Sequence, residues 1–187
     1  MNRFVAENLP LEGLQILERQ TMGDERGFLS RLFCAQELAA SGWHKPIAQI
    51  SHTCTHQKGA VRGLHFQYPP HAEMKLVSVI RGQLWDVAVD LREGSSTYLQ
   101  WHAETLSADN NLALLIPEGF AHGFQAMTED VEVLYCHSAA YKAEAEGGFN
   151  PLDATLDIKW PLAISQMSPK DKNHPFIDDE FKGLSLP

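Results

Sequence analysis

Apolar and polar positions alternate with a period of two through the middle of the chain, the pattern of strands rather than helices. Leu84-Trp85-Asp86-Val87-Ala88-Val89-Asp90 shows it most plainly and predicts a strand with one wet face. Further strands are predicted at Leu14–Glu18, Phe28–Phe33, Ala48–Thr55, Ala60–Gln67, Lys75–Ile80, Tyr98–Leu106, Leu112–Ile116, Gly123–Met127 and Val131–His137. Turn chemistry separates them at Asp24-Glu25-Arg26-Gly27, Arg81-Gly82-Gln83 and Leu91–Thr97. One short helix is predicted at Gln36–Gly42, stopped by its glycine. From Tyr141 on the periodicity fades, and Pro151, Pro161, Pro169 and Pro175 mark a loop-rich segment over about 141–187. Many short strands without long helices between them predict an all-β fold, a sandwich or small barrel.

The length of 187 residues fits one domain, taken as 1–187. With 44% hydrophobic and 21% charged residues the composition is that of an ordinary soluble globular chain. No run of about 18 apolar residues predicts a membrane span. The stretch Met1–Asn8 has no apolar core of a signal peptide. Cys34, Cys54 and Cys136 form no CxxC pair, and a reducing cytoplasm is the expected compartment. A formal charge of −9 argues against nucleic-acid binding. An anionic ligand therefore has to be met by a local cluster of Arg and Lys.

Nine histidines raise the question of a metal. A metal-binding jelly roll needs a His-x-His pair and a later His, since transition metals usually take three or more protein ligands. In Gly63-Leu64-His65-Phe66-Gln67 the second place of that pair is Gln67, although Pro117-Glu118-Gly119-Phe120-Ala121-His122 keeps the later half. No metal is expected, and His52 and His56 fall on strand and turn rather than a helix. His65, Lys75 and Tyr135 supply a base, a cation and a phenol, which neighbouring strands of one barrel can aim into one cavity. Those groups suit proton abstraction next to a carbonyl: imidazole removes the proton, ammonium stabilises the enolate, phenol returns a proton. Spacing alone leaves a structural role for each histidine open. Arg26 and Arg62 stand beside glycines, where an Arg can grip phosphate; a solvated or ion-paired surface Arg is the alternative.

Several segments, in order, carry a resemblance. They are Asp24-Glu25-Arg26-Gly27-Phe28, Gly59–Gln67, Lys75-Leu76-Val77, Trp85–Arg92, Ile116–Phe124 and Ser168-Pro169-Lys170-Asp171. Together they resemble the dTDP-4-dehydrorhamnose 3,5-epimerase family over about Asp24 to Asp171. The resemblance implies a cupin-type double-stranded jelly roll, a homodimer, and a site without metal or cofactor. The implied substrate is a nucleotide-diphosphate 4-keto-6-deoxy sugar, dTDP-4-dehydro-6-deoxy-D-glucose in the type reaction. It also implies catalytic roles: His65 as base, Asp171 as its dyad partner, Lys75 near the keto oxygen and Tyr135 as proton donor. The resemblance further implies that Tyr141 stacks on the base of the nucleotide. Arg26, Phe28, Gln49, Arg62, His122, Glu146 and Lys170 fall on substrate-binding positions. Arg31 stands where the family usually has Glu, and Ser51 where it usually has Asn; the loop between Ser51 and Arg62 is one residue longer. These departures touch nucleotide choice and sugar specificity. Within the same fold, a C3-only epimerase, a ketoisomerase on a related sugar and a non-catalytic sugar-binding cupin are the alternatives.

Overall fold

Two antiparallel sheets face each other in a computed structural model that describes residues 2–186; Met1 and Pro187, the ends of the expected 1–187 domain, lie outside the described residues. In chain order the strands are β1 Phe4–Asn8, β2 Gln15–Arg19, β3 Met22–Asp24, β4 Gly27–Leu29, β5 Gln49–Thr55, β6 Val61–Gln67, β7 Lys75–Arg81, β8 Gln83–Asp90, β9 Trp101–Ser107, β10 Leu112–Ile116, β11 Phe120–Ala126, β12 Val131–His137 and β13 Glu146–Gly148. Helix α1, Ala35–Leu38, runs into a 3-10 turn over Ala39–Ser41, and α2 spans Pro169–Lys172. One sheet has the order β1-β2-β10-β7-β12-β5, the other β13-β6-β11-β8-β9, and β3-β4 form a separate hairpin. This is the all-β sandwich that the alternation predicts, of the jelly-roll kind that the resemblance implies.

Between the sheets lie Ile16, Val77, Val79, Leu114 and Val133 of one layer against Leu84, Ala88, Leu106, Phe120 and Phe124 of the other. Each fully buried Leu or Phe there contributes roughly 1.5–3 kcal/mol. Two further clusters cover the outer faces. Leu38, Trp43 and Phe33 close over the six-stranded sheet, and Leu156, Ile158 and Leu184 close over the five-stranded one.

That second cover corrects the expectation of a wet face on β8. Val87 and Val89 are buried under the C-terminal segment, while the polar positions Asp86 and Asp90 are themselves fully buried. Asp90 is satisfied by Arg92, Ser95 and Thr97, whereas Asp86 pairs with His122 through Oδ1 and leaves Oδ2 without a hydrogen-bond partner among the described residues. The loop-rich tail is therefore a packing layer.

Other boundaries moved for local reasons. The strand expected over Phe28–Phe33 stops at Leu29, because the chain turns to pack Phe33 edge-on against Trp43 at 5.4 Å. The strand expected from Tyr98 starts at Trp101, since Ser95 and Thr97 are tied to Asp90 and Leu99 adopts φ 60°. The strand expected from Gly123 begins at Phe120. The helix at Gln36–Gly42 is a single α-turn plus the 3-10 turn, ended by Gly42 at φ 92°. β1, β3 and β13 were not legible from periodicity: β1 buries only Phe4, and β3 buries nothing.

Candidate active site

Inward-facing side chains of the six-stranded sheet align in rows. Lys75 on β7 and Gln49 on β5 both stand opposite His137 on β12, and Val77 and Ser51 both stand opposite Tyr135. Opposed residues share a face, so these polar groups converge at one end of the sandwich. They line a cavity of about 360 Å³ whose far wall holds Arg62, His65 and His122 and whose rim holds Tyr141 and Glu146.

Arg62 and His65 are three positions apart on β6, a spacing that puts side chains on opposite faces of a regular strand. The ladder to β11 is irregular here: His65 stands opposite His122 and Arg62 opposite Phe124, so three steps on β6 meet two on β11. A bulge of this kind re-aims a side chain, and both residues face the cavity. Gly63 makes it possible. Its φ is 125°, and a Cβ there would come within 2.5 Å of the Gly123 Cα. The Arg-Gly-Leu-His spacing is thus a backbone requirement as well as a set of functional groups.

His65 meets a partner from far along the chain. Its Nε2 lies 2.7 Å from Asp171 Oδ1. Asp171 sits in α2, whose start is set by Ser168: the Ser168 hydroxyl oxygen accepts from the Asp171 amide at 3.0 Å, and Pro169 occupies the first turn. Burial pushes the Asp171 carboxyl up, but hydrogen bonding and charge from His65, helped by Ser168, outweigh it and hold the group below the ordinary carboxylate range. Asp171 is thus an acceptor, and His65 donates from Nε2. The proton held on Nε2 leaves Nδ1 as the basic nitrogen.

On the facing sheet Lys75 Nζ donates to the His65 carbonyl at 3.3 Å and pairs with Glu73 at 3.1 Å. An ammonium has three donors, so one remains for a ligand. Tyr135 is nearly buried between two imidazoles. His137 stacks on it at 5.8 Å and 25°, and His122 meets it edge-on at 5.9 Å and 73°. Burial first, then the charge of Asp86, pushes the Tyr135 phenol well above its ordinary value. It keeps its proton at neutral pH.

The base, cation and phenol were expected on neighbouring strands of one barrel. Lys75 and Tyr135 are on neighbouring strands, whereas His65 faces them from the other sheet. At the rim Tyr141 donates to Glu146 at 2.7 Å and Lys170 pairs with the same carboxylate at 2.5 Å. A second cavity, of about 480 Å³, shares Arg62 and His65 with the first and adds Lys170 and Asp171. Three expected residues are not brought to either cavity within this chain. Arg26 is held by Asp24 at the tip of the β3–β4 hairpin, Phe28 on the same hairpin is 75% exposed, and Arg31 pairs with Glu37.

Gln67 is buried and knits loops together, donating to the His71 carbonyl at 3.0 Å and accepting from the Lys142 amide at 2.7 Å. Among the described residues, two groups of ligand-type side chains lie close enough to share an ion: Cys54, His56 and Asp130 on the surface, and His65, Asp171 and His174. In the second, the His65–Asp171 hydrogen bond already uses one ligand atom of each. Sequence reasoning missed Asp86, Glu73 and His137. The signal for His137 was present, since it lies two positions beyond Tyr135 on one strand face.

A family model described as dTDP-4-dehydrorhamnose 3,5-epimerase matches residues 8–179. The chain belongs to this family. Among its relatives, the dTDP-4-dehydrorhamnose 3,5-epimerase of Shigella flexneri is 38% identical over 168 residues, covering 89% of this chain and 92% of that protein. The crystal structure of the dTDP-6-deoxy-D-glucose-3,5-epimerase from Legionella pneumophila, in complex with dTDP-4-keto-L-rhamnose, is 36% identical with a TM-score of 0.90, covering 98% of this chain and 100% of that one. A family relative of narrower activity, the dTDP-4-dehydro-6-deoxyglucose 3-epimerase of a Streptomyces species, is 34% identical over 171 residues, covering 90% of this chain and 87% of that protein.

Proposed function

We propose that this protein inverts C3 and C5 of dTDP-4-dehydro-6-deoxy-D-glucose, giving dTDP-4-dehydro-L-rhamnose. The observation that carries the reading is the His65–Asp171 dyad facing Lys75 and Tyr135 across one cavity. His65 Nδ1 removes the proton from carbon next to the C4 ketone. The electron pair moves onto the keto oxygen, where the free donor of Lys75 meets the negative charge. Asp171 stabilises the imidazolium, as a carboxylate does for a histidine base elsewhere. Tyr135 delivers its phenolic proton to the opposite face of the enolate, which inverts the centre. The phenolate and imidazolium then exchange protons with solvent, and a second round inverts the other carbon. These steps run through side-chain acids and bases, with neither cofactor nor metal.

Arg62 and Lys170, on the walls of the second cavity, suit the diphosphate. Arg26 and Phe28 fit this reading only if the hairpin reaches a second copy. Met22, Phe28 and Leu29 stand exposed on it. We therefore read the protein as a homodimer of single-domain chains, each hairpin completing its partner's pocket, working in the cytoplasm. A second reading, inversion at C3 alone, draws on the 34% identical 3-epimerase. Incubation with dTDP-4-dehydro-6-deoxyglucose in D₂O separates them. Deuterium at C3 and C5 supports the first, deuterium at C3 alone the second, and none at either carbon overturns both.

A further inference from the structure

Three imidazole–carboxylate pairs surround the one cavity: His65 with Asp171 at 2.7 Å, His122 with Asp86 at 2.6 Å, and His137 with Glu73 at 3.2 Å. The first belongs to the proton-abstracting side. The third has no assigned part, yet its carboxylate is the most connected group on the pocket floor. Glu73 Oε1 holds Lys75 Nζ at 3.1 Å. Its Oε2 accepts from His137 Nδ1 at 3.2 Å and from Gln67 Nε2 at 3.3 Å. The side chain is only 10% exposed. Burial pushes its carboxyl up, but His137 and Lys75 together outweigh that and hold it below the ordinary range. A buried carboxylate with this many donors is fixed in place.

Two groups on opposite duties hang from it. Lys75 spends one donor on Glu73 and one on the His65 carbonyl, which directs the third. His137, oriented through Nδ1, lies flat on the Tyr135 ring. We propose that Glu73 is a positioning residue for the epimerisation: a single carboxylate sets Lys75 against the keto oxygen and, through His137, sets the Tyr135 phenol against the other face of the sugar. The inference rests on the epimerase reading above. It explains why an anion stands beside the cation that the enolate needs: the pair trades some attraction for a fixed direction.

The test compares wild type, Glu73→Gln and His137→Phe on dTDP-4-dehydro-6-deoxyglucose in D₂O, scoring deuterium uptake and inverted product separately. Glu73→Gln keeps the shape and removes the charge; kcat falls at least tenfold with KM within threefold of wild type. His137→Phe keeps a ring on Tyr135 but loses the tie to Glu73, and the ratio of exchange to inversion rises at least threefold. That ratio is independent of the fraction of molecules correctly folded, so a merely structural defect leaves it at the wild-type value. The proposal is overturned if Glu73→Gln stays within threefold of wild-type kcat, if its loss lies wholly in KM, or if the His137→Phe ratio is unchanged. Absence of deuterium uptake by wild type is a different result and removes the epimerase reading itself.

Discussion

The two halves of the proposed substrate site are built in opposite ways. The cavity end is held by ladders: Lys75, Tyr135, His137, Gln49 and Ser51 are placed by antiparallel register, and His65 and His122 by a bulge on the facing sheet. Every one of these groups has a position before any ligand arrives. The hairpin that carries Arg26 and Phe28 pairs only with itself, over Met22–Asp24 and Gly27–Leu29, and all six strand residues are exposed. On the proposed reading, the proton-transfer groups sit where the core fixes them, while Arg26 and Phe28, two of the expected substrate contacts, sit on an arm. If the proposed roles hold, the difference teaches that one chain carries the whole proton-transfer set and only part of the binding site.

Removing the base should break the rigid half outright. His65→Ala is expected to lower deuterium exchange at both carbons to below about one-hundredth of wild type, the scale of a lost general base, with an unchanged circular dichroism spectrum. Exchange above a few per cent of wild type takes His65 out of this role. Tyr135→Phe cuts the other side only: exchange continues, because the proton returns to the face it left, while inverted product is lost. Equal loss of both would make Tyr135 a stabiliser of the enolate instead.

The arm gives the next largest effect. Arg26→Ala is expected to raise KM at least tenfold, and the defect should be complementable. A subunit with His65→Ala still offers an intact hairpin, and one with Arg26→Ala an intact barrel. Random mixing through unfolding and refolding then restores about one quarter of wild-type sites, since half the dimers are mixed and each has one complete pocket. Activity of the mixture equal to the average of the two separate variants would show that each hairpin serves its own chain or none.

The same contrast decides what the sequence could reveal. Alternation in Leu84–Asp90 and Val131–His137 located strands well because packing on one face enforces it. It misjudged the other face of β8, since cover came from a tail with no periodicity of its own, Leu156, Ile158 and Leu184. His65, Lys75 and Tyr135 were legible as chemistry, but their meeting depends on the Gly63–Gly123 contact and the stacking of two sheets, both non-local. Asp171 lies 106 positions from His65, so no spacing rule could join them. Glu73 and His137 escaped because each, taken alone, looks like an ordinary polar residue in or beside a strand.

A smaller effect concerns the scaffold near the ordered half. Burial would raise the Asp90 carboxyl, but Arg92, Ser95 and Thr97 outweigh it and lower the group from the ordinary 3.8 to about 2. A lowered carboxylate favours the folded state above its unfolded pKa, and that contribution disappears as pH falls through the folded value. The shift corresponds to about 2 kcal/mol. Asp90→Asn should therefore be less stable than wild type at pH 7 by about that amount, by urea denaturation. The gap should narrow as pH drops from about 4 to about 2. A gap constant across that window would show that Asp90 acts through packing rather than charge.

The smallest effect is expected at Arg31, the residue that stands in place of an acidic one. As an isolated substitution it looks like a change in the binding site. The structure turns its guanidinium onto Glu37, whose other oxygen accepts from the Arg3 amide at 2.7 Å. The Arg3 amide first, and Arg31 after it, hold the Glu37 carboxyl below the ordinary range against the effect of burial. Arg31 thus fastens the segment after the hairpin to α1, next to the arm but not on it. Arg31→Glu would set two carboxylates together at that point, and Tm is expected to fall by no more than about 4 °C, because exposed ion pairs contribute little. The kcat on the best substrate should stay within about tenfold of wild type, at most about 1.4 kcal/mol of barrier. Preference among dTDP, UDP, CDP and GDP sugars should shift by less than about threefold in KM. A steady-state comparison over those sugars measures it. A tenfold change in nucleotide preference would move Arg31 from the fastening into the arm, reaching the partner's pocket beside Arg26, and would make the flexible half of the site larger by one residue.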